Sequence, residues 1–227
     1  MKEKREQNVT EEDLSSIFSN LKALEILLLK EPQIYFNIGG EDNKGSLHTM
    51  DLFVSAVINR AIGLSKGFTT LAIAKNYISA VPLIRLQVDN CLRFYASTLV
   101  SDYNDFFDKY LSGIHIRNIK DIDGNKMTDN YLAKKLDKEL FPGILNLYQN
   151  TSGHVHLSNE HSFLQTEIIP EKEMSIRTKI GDIDFFKIDQ KVDFAFNMFK
   201  ATEFLLKMVQ SWKYQKAKVE SEINKST

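Results

Sequence analysis

Across 227 residues, 43% hydrophobic and 26% charged side chains are ordinary globular proportions, and they exclude a disordered, collagenous or coiled-coil fibrous chain. A formal charge of -1 excludes an overall polycationic nucleic-acid binder but leaves room for a local basic patch. Only four Pro and ten Gly interrupt the chain, and 11% aromatic residues can fill a sizeable core, which together favour helices.

Cys91 is the single cysteine, so it forms no intramolecular disulfide; among apolar neighbours it reads as a small hydrophobe in a reducing compartment. Met1 to Asp13 carries eight charged residues, unlike a secretory signal, and no window approaches ~18 uninterrupted apolar residues. The expectation is a cytoplasmic protein without a membrane anchor.

Thr10 followed by Glu11, Glu12 and Asp13 predicts a helix N-cap with acidic residues where the helix dipole favours them. Leu14, Ile17, Phe18, Leu21, Leu24 and Leu28 then recur at helical spacing as far as Pro32. Gly39 to Ser46 reads as a polar loop, and a second helical pattern runs from Leu47 to Leu64, ending near Gly63.

Thr69 to Ser101 is apolar on almost every face, which predicts burial in the middle of a bundle. Pro82 predicts a kink, or a break with Pro82 in the first turn of a new helix. Arg85, Asp89 and Arg93 follow at steps of four, stacking charge along one side of this buried helix. Tyr103 to Leu111 continues helical until Gly113. His115 to Thr128, with its Asp123-Gly124 turn signal, reads as a small hairpin or an ordered loop.

Thr128 or Asp129 caps the next helix, which passes Tyr131, Leu132, Leu136 and Leu140 and, with a kink at Pro142, reaches Tyr148. Asn150 to His161 is polar and His-rich. Phe163 to Ile169 and Met174 to Ile180 read as two strands around Pro170-Glu171-Lys172-Glu173. From Asp189 the chain is helical again, with Val192, Phe196, Phe199, Leu206 and Val209 on one face, before a charged tail over residues 214–227 that predicts a frayed end. The expected fold is mainly α: a single helical bundle over 1–227, core about 10–213, with a small β-hairpin appendage.

Several chemistries can be weighed on spacing. His154, His156 and His161 suggest a metal site, yet residues two apart share a face only in a strand, and Leu157 to Glu160 interrupt the metallo-β-lactamase pattern. Asp121, Asp123 and Asn125 imitate the start of a calcium loop, but Gly124 stands at position four and Leu132 at position twelve. Gly63 to Thr70 lacks the phosphate-loop order, and neither Ser152 nor Ser158 sits in a Gly-x-Ser-x-Gly elbow. No metal or other cofactor is expected. The lysines at 207, 213, 216, 218 and 225 read as a solvated face.

What remains is the Arg85, Asp89, Arg93 stripe together with the segment Tyr148 to His161. A buried unpaired charge costs several kcal/mol, so these groups need partners. Two readings follow. Arg85, Asp89 and a histidine such as His156 tie helices together, or the same groups line a cleft where Arg holds a phosphodiester and His moves a proton.

YISAVPLIRLQVDNCLRFYAS, followed about 50 residues later by YQNTSGHVHLS, resembles uncharacterised bacterial helical proteins of the HEPN-like superfamily. The shared features are an Arg and an acidic residue on a central helix, here Arg85 and Asp89, and a later Tyr, Ser, His-x-Ser run, here Tyr148, Ser152, His156 and Ser158. The resemblance covers roughly residues 50 to 160 and the final helix. It implies a helical bundle, a homodimer, and association with RNA cleavage or with toxin–antitoxin and antiphage defence systems, acting through RNA or a partner protein.

The chain departs from active members in one respect: no His has an Arg four to six residues before it. Either Arg85 and His156 rebuild the catalytic pair from two helices, or the fold is kept for binding alone. In the catalytic reading His156 takes the 2′-hydroxyl proton, Arg85 stabilises the phosphorane and Asp89 orients Arg85. Arg93, Tyr148, Ser152, His154, Ser158 and His161 then belong to the substrate site.

Overall fold

A computed structural model describes residues 9–40, 45–153, 155, 166–169, 175–178, 180, 181, 184 and 186–226. Seven α-helices are present among them: α1 (Glu11–Phe36), α2 (Thr49–Ile73), α3 (Tyr77–Ser97), α4 (Tyr103–Leu111), α5 (Asp129–Glu139), α6 (Ile144–Ser152) and α7 (Ile188–Ser226). None of the described helices is long and apolar enough to cross a membrane. Helix α3 is the inner member, packed against α2, α5, α6 and α7, while α1 lies against α2 and α7. Thr166–Ile169 (β1) pairs antiparallel with Ser175–Thr178 (β2), Ile168 opposite Ile176. This isolated pair adds no layer to the fold, which is a helical bundle without a core sheet; residues 170–174 lie outside the described residues.

Helix α1 starts where the sequence places it. Thr10 accepts from the Asp13 amide while Asp13 accepts from the Thr10 amide, a reciprocal capping box. Leu14, Leu21, Leu28 and Tyr35, seven residues apart, are all buried. The helix does not stop at Pro32. It carries that residue internally to Phe36, because Tyr35 is anchored in the core and its hydroxyl bonds Ser55 on α2 at 2.7 Å.

Several boundaries differ from the periodicity for equally local reasons. Helix α2 passes through Gly63 and Gly67 to Ile73, since Phe68 and Ala72 continue its buried face. The break between α2 and α3 falls at Ala74 to Asn76, where Lys75 adopts φ +61 and the Asn76 side chain caps the Ser79 amide. Pro82 therefore sits in the second turn of α3 and neither starts nor ends it. The helix expected to run on to Tyr148 is two helices, α5 and α6, separated by residues 140–143 with Gly143 at φ +101. Between α4 and α5 there is a 3-10 turn over Ile116–Asn118 and a single bridge, Lys120 to Lys126, which is an ordered loop.

The largest correction concerns the tail. Residues expected to fray continue α7 to Ser226, and two of their charged side chains are interior. Lys216 is fully buried and donates to the carbonyls of Tyr35 (2.8 Å) and Ser46 (2.6 Å) and to Asp51 Oδ2 (2.7 Å). Asp51 also accepts from Trp212 Nε1 at 3.1 Å and from the His48 amide at 2.8 Å. One turn on, Glu220 accepts from the Ser46 hydroxyl, contacts the His48 ring and takes the Gly40 amide at 3.4 Å. Gly39, Gly40 and Gly45, the described glycines between α1 and α2, lie close against their neighbours. Gly39 (φ +80) and Gly45 (φ +86) cannot be replaced without strain, since a Cβ would lie 2.2 Å from the Glu220 carboxyl and 2.1 Å from the Phe36 carbonyl.

The bonds from Ser46 and His48 outweigh burial and hold the Glu220 carboxyl below its usual range. A carboxyl lowered in the folded state stabilises fully at neutral pH, and that contribution disappears as pH falls through the acid range below about 4.3. Glu220→Gln should therefore flatten part of the acid arm of a pH–stability profile followed by circular dichroism. An acid arm identical to the wild type would contradict this.

Candidate functional site

The charged stripe of α3 opens on one side of the bundle. Arg93 Nη2 reaches Asp89 at 2.8 Å on its own helix and also bonds Asp129 in the first turn of α5. Arg85 reaches the other oxygen of Asp129 at 3.4 Å and lies over the Tyr148 ring of α6 at 4.1 Å. From α2, Arg60 bonds Asp89 at 3.2 Å and Asn90 at 2.8 Å. Three guanidinium groups thus alternate with two carboxylates across α2, α3 and α5. Nη1 of Arg93 is buried and finds no acceptor among the described residues.

Arg60, Arg93 and Asp129 of this network border a cleft of about 850 Å³, which Arg85 and Asp89 do not line. One wall is the Phe53, Val57 and Arg60 face of α2, spaced four and three residues apart; the other is Asn90 and Arg93 of α3. The rim comes from Tyr110 at the end of α4 and from His115 and Arg117 in the following turn, all three exposed. The start of α5, with Thr128, Asp129 and Asn130, also lines the cleft, and Thr128 caps that helix by accepting from the Tyr131 amide. Helix α5 so directs its partially positive end toward the cleft. Arg60, Arg93 and Arg117 outnumber Asp129 in the lining, so this opening is cationic although the chain's formal charge is -1.

Of the sequence-derived residues, the structure brings four together, leaves Ser152 in a local bond, and has the others outside the described residues. Arg85, Asp89, Arg93 and Tyr148 form one network. Within it, Asp129 rather than Asp89 holds Arg85, and no histidine among the described residues joins the tie. Arg85 is 13% exposed in its side chain and engaged on two sides, so it is the more enclosed arginine and Arg60, at 41%, the more open one. Ser152 ends α6, where its hydroxyl donates to the Tyr148 carbonyl at 2.6 Å, a local helix bond. His154, His156, Ser158 and His161 lie outside the described residues.

Four participants were not singled out from sequence: Arg60, His115, Arg117 and Asp129. A signal existed for Arg60, because Leu47 to Leu64 contains just two charged residues, Asp51 and Arg60, and both prove to be engaged in networks. Asp129 is legible as a first-turn acidic residue but not as the partner of two arginines 36 and 44 positions away. His115 and Arg117 carry no periodic signal.

No group of three or more His, Cys, Asp or Glu side chains among the described residues converges as a metal site. Asp121, read above as a failed calcium mimic, instead accepts from the amides of Asp123 (3.1 Å) and Asn125 (2.8 Å) and bonds the Tyr131 hydroxyl, so it organises a turn. Cys91 is buried, burial pushes its thiol up, and its Sγ donates to the Ala201 carbonyl at 3.3 Å, the environment of a packing residue. No family model, curated protein or solved structure matches the chain, so the resemblance noted above rests on the Arg85 and Tyr148 motifs themselves.

Proposed function

We propose that the chain is a HEPN-like helical protein of a bacterial defence or toxin–antitoxin system and that its cleft receives an RNA phosphodiester. The observation that carries this reading is the joint opening of Arg60, Arg93, Arg117 and His115 on one cleft. Arginine binds phosphate oxygens in a fork, and a histidine beside it exchanges protons near neutral pH. In metal-independent cleavage the histidine takes the 2′-hydroxyl proton, the 2′-oxygen attacks phosphorus, and the 5′-oxygen leaves with a proton returned to it. Arg60 and Arg93 stabilise the phosphorane charge.

Purified protein incubated with total RNA in EDTA should cleave it, and the variants His115→Ala and His156→Ala identify which imidazole carries the proton. Wild-type protein that neither cleaves nor retains RNA on a filter at ~50 mM salt would remove the proposal.

A second reading is favoured by the pairing of Arg60, Arg85 and Arg93 with Asp89 and Asp129: the cleft then recognises a partner protein or nucleotide without catalysis. RNA retained intact by wild type and both histidine variants is its signature. A homodimer accompanies either reading; Ile26, Leu27, Leu29 and Ile34 of α1 are between 44% and 55% exposed and offer apolar surface for it.

A further inference from the structure

We infer that the cleft takes a single unpaired nucleotide, with Tyr110 as the platform on which its base stacks; this rests on the phosphodiester reading above. The cleft is chemically mixed. Arg60, Arg93 and Arg117 line it with positive charge and Asn90 with an amide, whereas Tyr110, Ile114 and Val57 line it with apolar surface. Exposed Tyr and Ile side chains at 39% and 44% beside a cationic wall match a ligand that carries a flat apolar ring next to an anion.

The platform is held in place by its neighbours. The Tyr110 ring meets Phe53 edge-on, with centroids 5.2 Å apart at 87°, and stacks with Phe107 at 6.0 Å and 27°. Phe53 and Phe107 are themselves buried, at 2% and 9% exposure, so they fix the tyrosine while leaving one part of it open. An aromatic ring that is restrained from below and exposed to a cleft needs little ordering when a base stacks on it. A base inside a duplex has both faces covered, so the arrangement selects an unpaired nucleotide.

The test uses fluorescence anisotropy with three 2′-O-methyl probes of equal length, which cannot be cleaved through the 2′-oxygen: an oligo-adenylate strand, an abasic strand and a duplex. Wild-type protein should bind the adenylate strand about tenfold or more tighter than the other two, since base–aromatic stacking contributes on that scale. Tyr110→Ala should erase the difference between adenylate and abasic strands, Tyr110→Trp should keep it, and Arg60→Gln should weaken both equally. Equal binding of adenylate and abasic strands by wild type, or a preference untouched by Tyr110→Ala, overturns the nucleotide inference and leaves the phosphodiester reading standing. Failure of every probe to bind overturns both.

Discussion

Replacing Lys216 by methionine is expected to remove about 3–5 kcal/mol of folding stability, the range for breaking a fully buried ion pair from one side. The substitution takes away three acceptors' common donor: the Tyr35 and Ser46 carbonyls and Asp51 would lose their ammonium at once. Asp51 would be left inside the protein with only Trp212 and the His48 amide to satisfy it. Urea unfolding measures the loss directly, as a lower midpoint at unchanged slope. The double variant Lys216→Met with Asp51→Asn should be less destabilised than the sum of its parts, because neither charge then remains buried alone. A single-variant loss below ~1 kcal/mol would show that the ammonium is not the element fastening α7 to the α1–α2 loop.

Asp129→Asn is expected to move stability and anion binding in opposite directions. Asp129 is the shared partner of Arg85 and Arg93, so its neutralisation leaves two largely enclosed guanidinium groups short of charge, one of which already has an orphan Nη1. Stability should fall by roughly 1–3 kcal/mol, on the scale of charged hydrogen bonds lost from a partly buried site. The same change frees positive charge beside the cleft, so affinity for an RNA strand should rise several-fold at low salt, with a steeper decline as salt increases. Parallel loss of stability and affinity would mean that Asp129 is needed to shape the binding surface. That outcome would count against arginine-led phosphate recognition.

How far the sequence reaches can be judged from these same residues. The burial of α3 and the capped start of α1 follow from apolar periodicity and a local side-chain cap, and both lie within a few residues of the atoms that cause them. The clustering of Arg85, Asp89 and Arg93 on one face follows from the helical step of four. The counter-charges do not: Arg60 and Asp129 reach that face from 29 and 44 residues away, distances over which no local rule operates. The tail is illegible in sequence for a related reason. Its lysines and glutamates look like solvated helix, and partners some 165 to 181 residues away, the Tyr35 and Ser46 carbonyls and Asp51 for Lys216 and the Ser46, His48 and Gly40 donors for Glu220, turn these two into interior groups.

The closure of the bundle also bears on how it is made. Helix α1 packs on α7, and Lys216 reaches back 181 residues to the Tyr35 carbonyl. At elongation rates of about 5–20 residues per second, α1 would wait about ten to forty seconds for its mate to emerge. Until α7 emerges, the part of α1 that packs on it stays uncovered, so the nascent chain should draw holding chaperones onto that helix.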